Sequence, residues 1–374
     1  MKIGIEAQRI FREKKHGMDI YALQLIRHLQ AIDKVNEYYI FVRPGDDVCL
    51  QETSNFRIVL VNSISYADWE QIMLPISVKR YKLDILHCTS NTAPWFSQVP
   101  TVLTLHDIIY LNSKFAGGSM YQRLGHLYRK LVVPRAFRKA SKVSTVSQFE
   151  ANVIHEHFGN NDKLAVIYNG INPLFYDKAY CENKALEITK SLKLPKEYIL
   201  FLGNTAPKKN MSRMLHAYAA YITTSEDPLP LVIVESSSSV VDSYLQKDGL
   251  MYIKKHLICV GYVSNDWLPI IYRHASLFIY PSLRESFGIP VLEAMASKTA
   301  VITSNSSSMP EIGGAAAHYI DPYSVTDIAN SIKQLISDKH SRIKLVNAGI
   351  KRSSNFSWNQ TAKAVLTSYI SFQH

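Results

Sequence analysis

The sequence predicts an α/β protein built from two doubly wound, Rossmann-like domains. Three observations carry that expectation. The chain has 374 residues, enough for two full cores. Strand-like and helix-like runs alternate from end to end, the pattern of parallel sheets covered by helices. The alternation is interrupted near residues 172–195, where Asn172-Pro173 breaks a strand and polar, irregular sequence follows. Two such halves imply two domains facing a cleft.

The first half reads as strands at residues 2–5, 38–42, 57–61, 85–88, 101–105, 142–145 and 164–168. The second reads as strands at 198–203, 231–235, 258–260, 275–280 and 300–303. Helical patterns lie between them, among them 21–31, 211–221, 268–273 and 325–337. A last helical pattern covers 361–372, after Phe356-Ser357-Trp358-Asn359. No internal repeat is present. The serine runs at 236–239 and 304–308 read as loops.

Composition narrows the class. Hydrophobic residues make up 47% and charged residues 20%, which fits a globular chain. No apolar run approaches the ~20 residues that a membrane-spanning helix needs. Met1-Lys2-Ile3-Gly4-Ile5 opens directly into a strand, so no signal peptide is expected. Cys49, Cys88, Cys181 and Cys259 are scattered without metal-ligand spacing and read as reduced thiols of a cytoplasmic protein. The formal net charge of +11 points to an anionic partner. Basic residues are densest over 121–142, at Arg123, Arg129, Lys130, Arg135, Arg138, Lys139 and Lys142. Leu124, Leu127, Tyr128 and Leu131 recur there at helical spacing. Two readings stand: a helix packing that stripe on the sheet, or a helix lying on an anionic membrane surface.

The chemistry concentrates in the segment Arg284-Glu285-Ser286-Phe287-Gly288-Ile289-Pro290-Val291-Leu292-Glu293. The preceding apolar run is expected to end as a strand at the carboxyl edge of a sheet. Pro290 suits a first helical turn. Glu285 then lies in the loop and Glu293 near the start of the helix. The N–H groups of Phe287, Gly288 and Ile289 are expected to make an anion site at the helix N-terminus. Gly288, lacking Cβ, lets a ligand approach the backbone. A diphosphate there would have hydroxyl-binding carboxylates on both sides, the layout of a nucleotide sugar. The alternative, that Glu285 caps the helix and Glu293 favours its dipole, explains each residue singly but not the pair at a strand's carboxyl edge.

This segment resembles the donor site of the retaining nucleotide-sugar glycosyltransferases of glycosyltransferase family 4, which have the two-domain GT-B fold. The resemblance covers nearly the whole chain and is strongest over 203–321. It implies that Glu285 contacts the transferred sugar and Glu293 the ribose, with Ser286, Phe287, Gly288 and Ile289 lining the donor. It implies domains at residues 1–175 and 190–354, with 355–374 as a helix crossing back to the first.

Other stations agree. Gly203-Asn204-Thr205-Ala206-Pro207-Lys208-Lys209-Asn210 matches the family's loop ending in Pro-Arg-Lys-Asn. Lys209 takes the phosphate-binding lysine position and Asn204 lies beside the donor. Lys208 stands where arginine is usual, offering a point charge instead of a fork. Thr104-Leu105-His106-Asp107 matches the station whose histidine reaches the donor sugar, so His106 is assigned there, with Asp107 holding the turn. Gly261-Tyr262 matches the turn beside the base. In His16-Gly17-Met18-Asp19-Ile20-Tyr21, Gly17 matches a glycine that approaches the diphosphate, whereas Asp19 replaces a second glycine. Glu235 and Lys298 also occupy positions where relatives have glycine. No Asp-x-Asp pair and no Gly-x-Gly occur.

The expected function is retaining transfer of a hexose, with GDP-mannose the leading donor, to a growing and lipid-linked surface polysaccharide. No metal or other cofactor is expected. The expected location is the cytoplasm or the inner face of the plasma membrane. Rivals are a GT-B sugar-nucleotide epimerase, a non-catalytic nucleotide-sugar-binding relative, and a nucleic-acid-binding protein for which only charge argues.

Overall fold

A computed structural model of the chain describes residues 1–112, 120–176 and 181–372. The side chain of Tyr121 and residues 177–180 of the expected linker lie outside them. The chain divides into two compact units, Met1–Gly170 with Trp358–His374, and Ile171–Ser357. The division falls just ahead of the Asn172-Pro173 break.

The first unit carries seven parallel strands: β1 (Lys2–Glu6), β2 (Glu37–Val42), β3 (Phe56–Leu60), β4 (Ile85–Cys88), β5 (Thr101–Thr104), β6 (Lys142–Thr145) and β7 (Leu164–Val166), in the order β3-β2-β1-β4-β5-β6-β7. The second carries β8 (Ile199–Leu202), β9 (Leu231–Val234), β10 (Leu257–Gly261), β11 (Leu277–Tyr280), β12 (Val301–Ser304) and β13 (His318–Ile320), in the order β10-β9-β8-β11-β12-β13. Both are doubly wound, so strand order reverses between β1 and β4 and again between β8 and β11. Ligand crevices form at such switch points, at the carboxyl ends of the strands.

Sequence patterning explains the layers. The residues of β8, β9 and β11 are all buried, as expected of apolar runs covered on both faces. Helices α1 (Gly17–Ile32) and α2 (Met120–Lys139) belong to the first unit. Helices α3 (Met211–Thr223), α4 (Leu268–His274) and α5 (Ile289–Ala296) belong to the second. The C-terminal helix, Trp358–Ile370, packs on α1 in the first unit, and Trp358, Ala362, Val365 and Tyr369 join its core. Its Tyr369 hydroxyl meets His87 Nδ1 of β4, while Thr104 Oγ1 of β5 meets Nε2.

Three details depart from the sequence reading. Strand β13 was not foreseen: it is three residues at the sheet edge. The leucine stripe of α2 does not pack on the sheet. Leu124, Leu127 and Leu131 are 61%, 54% and 59% exposed, whereas Val132, Val133, Ala136 and Phe137 are buried. The helix carries two apolar stripes, and the one near its C-terminus takes the sheet. Lys298 sits at a φ of 63° just past α5, where its N–H bonds to the Met295 carbonyl and the next N–H, of Thr299, bonds to that of Ala294. This is a left-handed helix stop, the reason glycine is usual there.

Candidate active site

The β8–α3 and β11–α5 loops meet at the switch point of the second sheet. Asn210, held at a φ of 62°, ties them together by donating from Nδ2 to the carbonyls of Pro281 and Pro322. Leu283 N–H donates to the Lys208 carbonyl. The loop that presents two lysines is thus fixed against the loop that presents Glu285.

Glu285 is buried and is the hub. Its Oε1 accepts from Ser282 Oγ at 2.7 Å, Tyr280 hydroxyl at 2.9 Å and Lys209 Nζ at 2.9 Å. Its Oε2 faces Lys208 Nζ at 3.4 Å. Lys209 also donates to the Tyr280 hydroxyl and lies over that ring at 4.6 Å. Burial pushes the Glu285 carboxyl up, but Lys209 and Lys208 outweigh it and hold the group below its ordinary range. It is therefore an ionised acceptor at neutral pH. Burial and Glu285 together raise Tyr280, which stays a neutral donor. The two lysines differ: the Lys208 side chain is 43% exposed and that of Lys209 14%. The sequence assigned Lys209 to phosphate and Glu285 to sugar as separate stations, whereas here the two form one ion pair and Lys208 is the more accessible cation.

Gly288 caps α5 at a φ of 101°. Ser308 Oγ shares its proton between the carbonyls of Glu285 and Phe287, and Ser307 Oγ accepts from Glu285 N–H, which fixes the approach to the helix. Phe287 is buried edge-on to Phe356, so its side chain anchors the loop. Ser286 and Ile289 are partly exposed on either side. Glu293 accepts from the Tyr272 hydroxyl at 3.3 Å. Burial pushes its carboxyl up to about 7. At the neighbouring strand ends, Asn204 donates to Glu235 at 3.1 Å, and Gly261, at a φ of 67°, precedes a largely exposed Tyr262.

In the first unit, His106 follows β5 and is buried. Its Nε2 bonds to the Thr89 carbonyl at 2.9 Å, and its N–H to Asn91 Oδ1. That bond makes Nε2 the protonated nitrogen and leaves Nδ1 as an acceptor. Burial lowers its pKa, so the ring is neutral. Asp107 Oδ1 accepts from Ile109 N–H and holds the turn. Gly17 opens α1 with free space where a Cβ would stand. Asp19, which replaces the family's second glycine, acts locally, accepting from His16 N–H and pairing with Arg9 at 3.0 Å.

Sequence reading did not single out a second buried acid. Glu70 accepts from the Tyr66 hydroxyl, Gln71, Thr92 and Tyr128, and burial pushes it up to about 7. Its partners come from separated segments, so no local motif announces it. Glu70 and Glu293 set a pH dependence. Both carboxyls have folded pKa values above the ordinary 4.5. At these two groups the folded chain therefore binds more protons than the unfolded one between about 4.5 and 7, and their contribution to stability falls as pH rises through that window. Between pH 5 and pH 8 the melting temperature of Glu293→Gln is expected to gain on that of the parent, because the variant lacks this carboxyl while the opposing contribution of the depressed histidines His87 and His106 is common to both. An unchanged slope in that variant would remove Glu293 as a source.

A parallel sheet with cations, an ionised glutamate and a helix N-terminus at its switch point defines a site for a phosphorylated, hydroxyl-rich ligand. Residues 16–174 match the family model for Glycosyltransferase Family 4, and residues 184–352 that for Glycosyl transferases group 1. The chain belongs to this family of glycosyltransferases. The serotype-specific mannosyltransferase WbdA of Escherichia coli is 27% identical over 291 residues, 75% of this chain and 34% of the relative. The chain thus matches about a third of that protein's length. The O-antigen chain mannosyltransferase RfbU of Salmonella typhimurium is 26% identical over 312 residues, 82% of this chain and 79% of the relative. The structure of sucrose-phosphate synthase from Thermosynechococcus elongatus superposes with a TM-score of 0.76 at 19% identity, covering 99% of this chain and 98% of that one. The fold is the GT-B fold expected from the sequence.

Proposed function

We propose that the chain transfers mannose from GDP-mannose, with retention, to a growing, lipid-linked surface polysaccharide. The observation that carries the reading is the Lys208–Lys209–Glu285 cluster beside the N-terminus of α5. Sugar hydroxyls would replace the hydroxyl donors that now serve Glu285. The diphosphate would lie against Lys208 and the N–H groups around Gly288, and the ribose against Glu293. The acceptor oxygen attacks the anomeric carbon from the face that the leaving phosphate vacates. The carbon–phosphate oxygen bond breaks, and the acceptor's proton passes to the departing phosphate. Negative charge develops on the diphosphate, where two lysines and the helix dipole stand ready. We assign no metal to this step. His106, through Nδ1, is assigned to the donor sugar. The mannose preference rests on the similarity to WbdA and RfbU.

The test is a melting series with GDP, UDP, dTDP and ADP and their sugars, with and without EDTA. A ligand at a hundred times its Kd should add about 2.7 kcal/mol of stability. The expected result is a shift with GDP and GDP-mannose that EDTA leaves unchanged. No shift with any nucleotide would sink the donor-site reading.

A lipid-linked acceptor places the enzyme at the inner membrane face. Among the described residues no helix is long and apolar enough to cross a membrane. The support for surface binding is the exposed Leu124, Leu127 and Leu131 stripe, with Arg135 and Lys139 packed against the nearby Trp95 and Phe96 rings. Apolar side chains amid cations suit an anionic lipid interface. The chain should sediment with anionic vesicles and not with neutral ones. Leu127→Asp with Leu131→Asp should abolish this, and indifference to anionic vesicles at low salt would end the membrane reading.

A further inference from the structure

The carboxyl edge of β9 carries an outlier. Glu235 stands at a φ of 71°, a conformation that costs a residue with a side chain and that glycine adopts freely. Strain of this kind persists where the surroundings impose it, and it gathers at ligand sites. The surroundings here are specific. Glu235 N–H bonds to the Gly261 carbonyl, linking the ends of β9 and β10. Its Oε2 accepts from Asn204 Nδ2 at 3.1 Å, linking it to the end of β8. The side chain is exposed, and its charge is felt by Glu293, Tyr272 and Tyr280. A carboxylate therefore stands at the rim of the crevice at the end of β9, one strand beyond β8 from the loop that carries Glu285, and near enough to Glu293 for its charge to be felt there.

What could such a carboxylate recognise? A diphosphate would be repelled by it. The group that lies beyond the ribose in a nucleotide sugar is the base. A carboxylate accepts two parallel hydrogen bonds and donates none when ionised. Guanine alone among the common bases offers two adjacent donors on one edge, N1–H and the N2 amino group. Uracil and thymine flank their single N3–H with two carbonyl oxygens. Adenine and cytosine set their amino group beside a ring acceptor. Both arrangements bring oxygen or nitrogen lone pairs against a carboxylate.

We propose that Glu235 is the base-specificity residue of this chain, accepting N1–H and N2–H of guanine, with the Asn204 amide holding its carboxylate in place. This rests on the donor-site reading above and adds to it the residue that selects the base. A glycine at the same position would leave the base to be read by backbone groups alone.

The experiment measures calorimetric affinities of the full chain for GDP, IDP and UDP, and repeats them with Glu235→Gly and Glu235→Gln. IDP is GDP without the N2 amino group. The parent should bind GDP at least about tenfold more tightly than IDP, and IDP more tightly than UDP. Glu235→Gly should lose about ten- to a hundredfold in GDP affinity while its affinity for UDP holds or rises. Glu235→Gln, which offers one acceptor and a misplaced donor, should also discriminate poorly between GDP and IDP. Glycine relieves the left-handed strain, so Glu235→Gly should melt no lower than the parent, and lost affinity would not reflect unfolding. If the parent binds GDP and IDP equally, or if Glu235→Gly keeps the full preference for GDP, the proposal fails while the donor site stands. If the parent binds none of the three nucleotides, this proposal fails, and the donor-site reading fails with it when dTDP and ADP are not bound either.

Discussion

Glu285→Gln is expected to lower turnover about a thousandfold while nucleotide binding persists. The glutamine keeps the shape and one acceptor oxygen for Ser282 and Tyr280, but it removes the charge that faces Lys209 and Lys208. A stability loss is expected too, because a largely buried lysine is left without its counter-charge, at a cost of up to about 3–5 kcal/mol. Magnitudes separate the two effects. A thousandfold loss of rate is about 4 kcal/mol of transition-state stabilisation. A domain stable by about 8 kcal/mol that loses about 5 is still more than 99% folded at 25 °C. Unfolding therefore cannot supply the loss of rate, and turnover normalised to folded protein isolates the chemical role. If Glu285 served only to brace the loops, kcat per folded molecule would stay within a few-fold of the parent. That result would overturn the assignment.

How much of this was legible beforehand depends on distance along the chain. Strands such as Leu231–Val234 and Ile199–Leu202 are short apolar runs between turns, and parallel burial leaves that mark directly in the sequence. β13 is three residues at an edge and left none. The face that α2 buries stayed open because Leu124, Leu127 and Leu131 make as good a stripe as Val132, Val133, Ala136 and Phe137. Period alone cannot say which stripe the sheet takes. At the site, the turn into α5 was legible because Glu285, Gly288 and Glu293 lie within one turn and helix. The Lys209–Glu285 pair was not, because 76 residues separate the partners and only the switch-point topology brings them together. The replacements for glycine illustrate the same limit. Asp19 proved to be a helix-start contact, Lys298 a helix stop, and Glu235 a strained carboxylate at the crevice. Three departures that look alike in sequence have three different physical meanings.

Gly288→Ala should produce a large loss of stability. Two costs coincide there. At a φ of 101° an alanine is strained by roughly 1–2 kcal/mol. Its Cβ would also stand 2.2 Å from Cε and 3.2 Å from Sδ of Met309, a fully buried side chain whose end would have to shift. Overpacking of that kind costs about 1–3 kcal/mol. The sum, about 2–5 kcal/mol, corresponds to a melting temperature lower by roughly 10 °C in a unit of this size. Adding Met309→Ala to Gly288→Ala should remove the contact but not the backbone strain, so recovery should be partial. Any strain relieved by turning the peptide also reorients the N–H groups that α5 presents, so the melting shift caused by GDP should shrink in Gly288→Ala. Gly17→Ala is the matched control: its Cβ meets nothing within 4 Å, and its stability should stay within about 0.5 kcal/mol of the parent. A Gly288→Ala chain that melts like the parent and keeps its full response to GDP would show that the turn tolerates a side chain. The requirement for glycine at the start of α5, and with it the dependence of diphosphate binding on this turn's geometry, would then have to be abandoned.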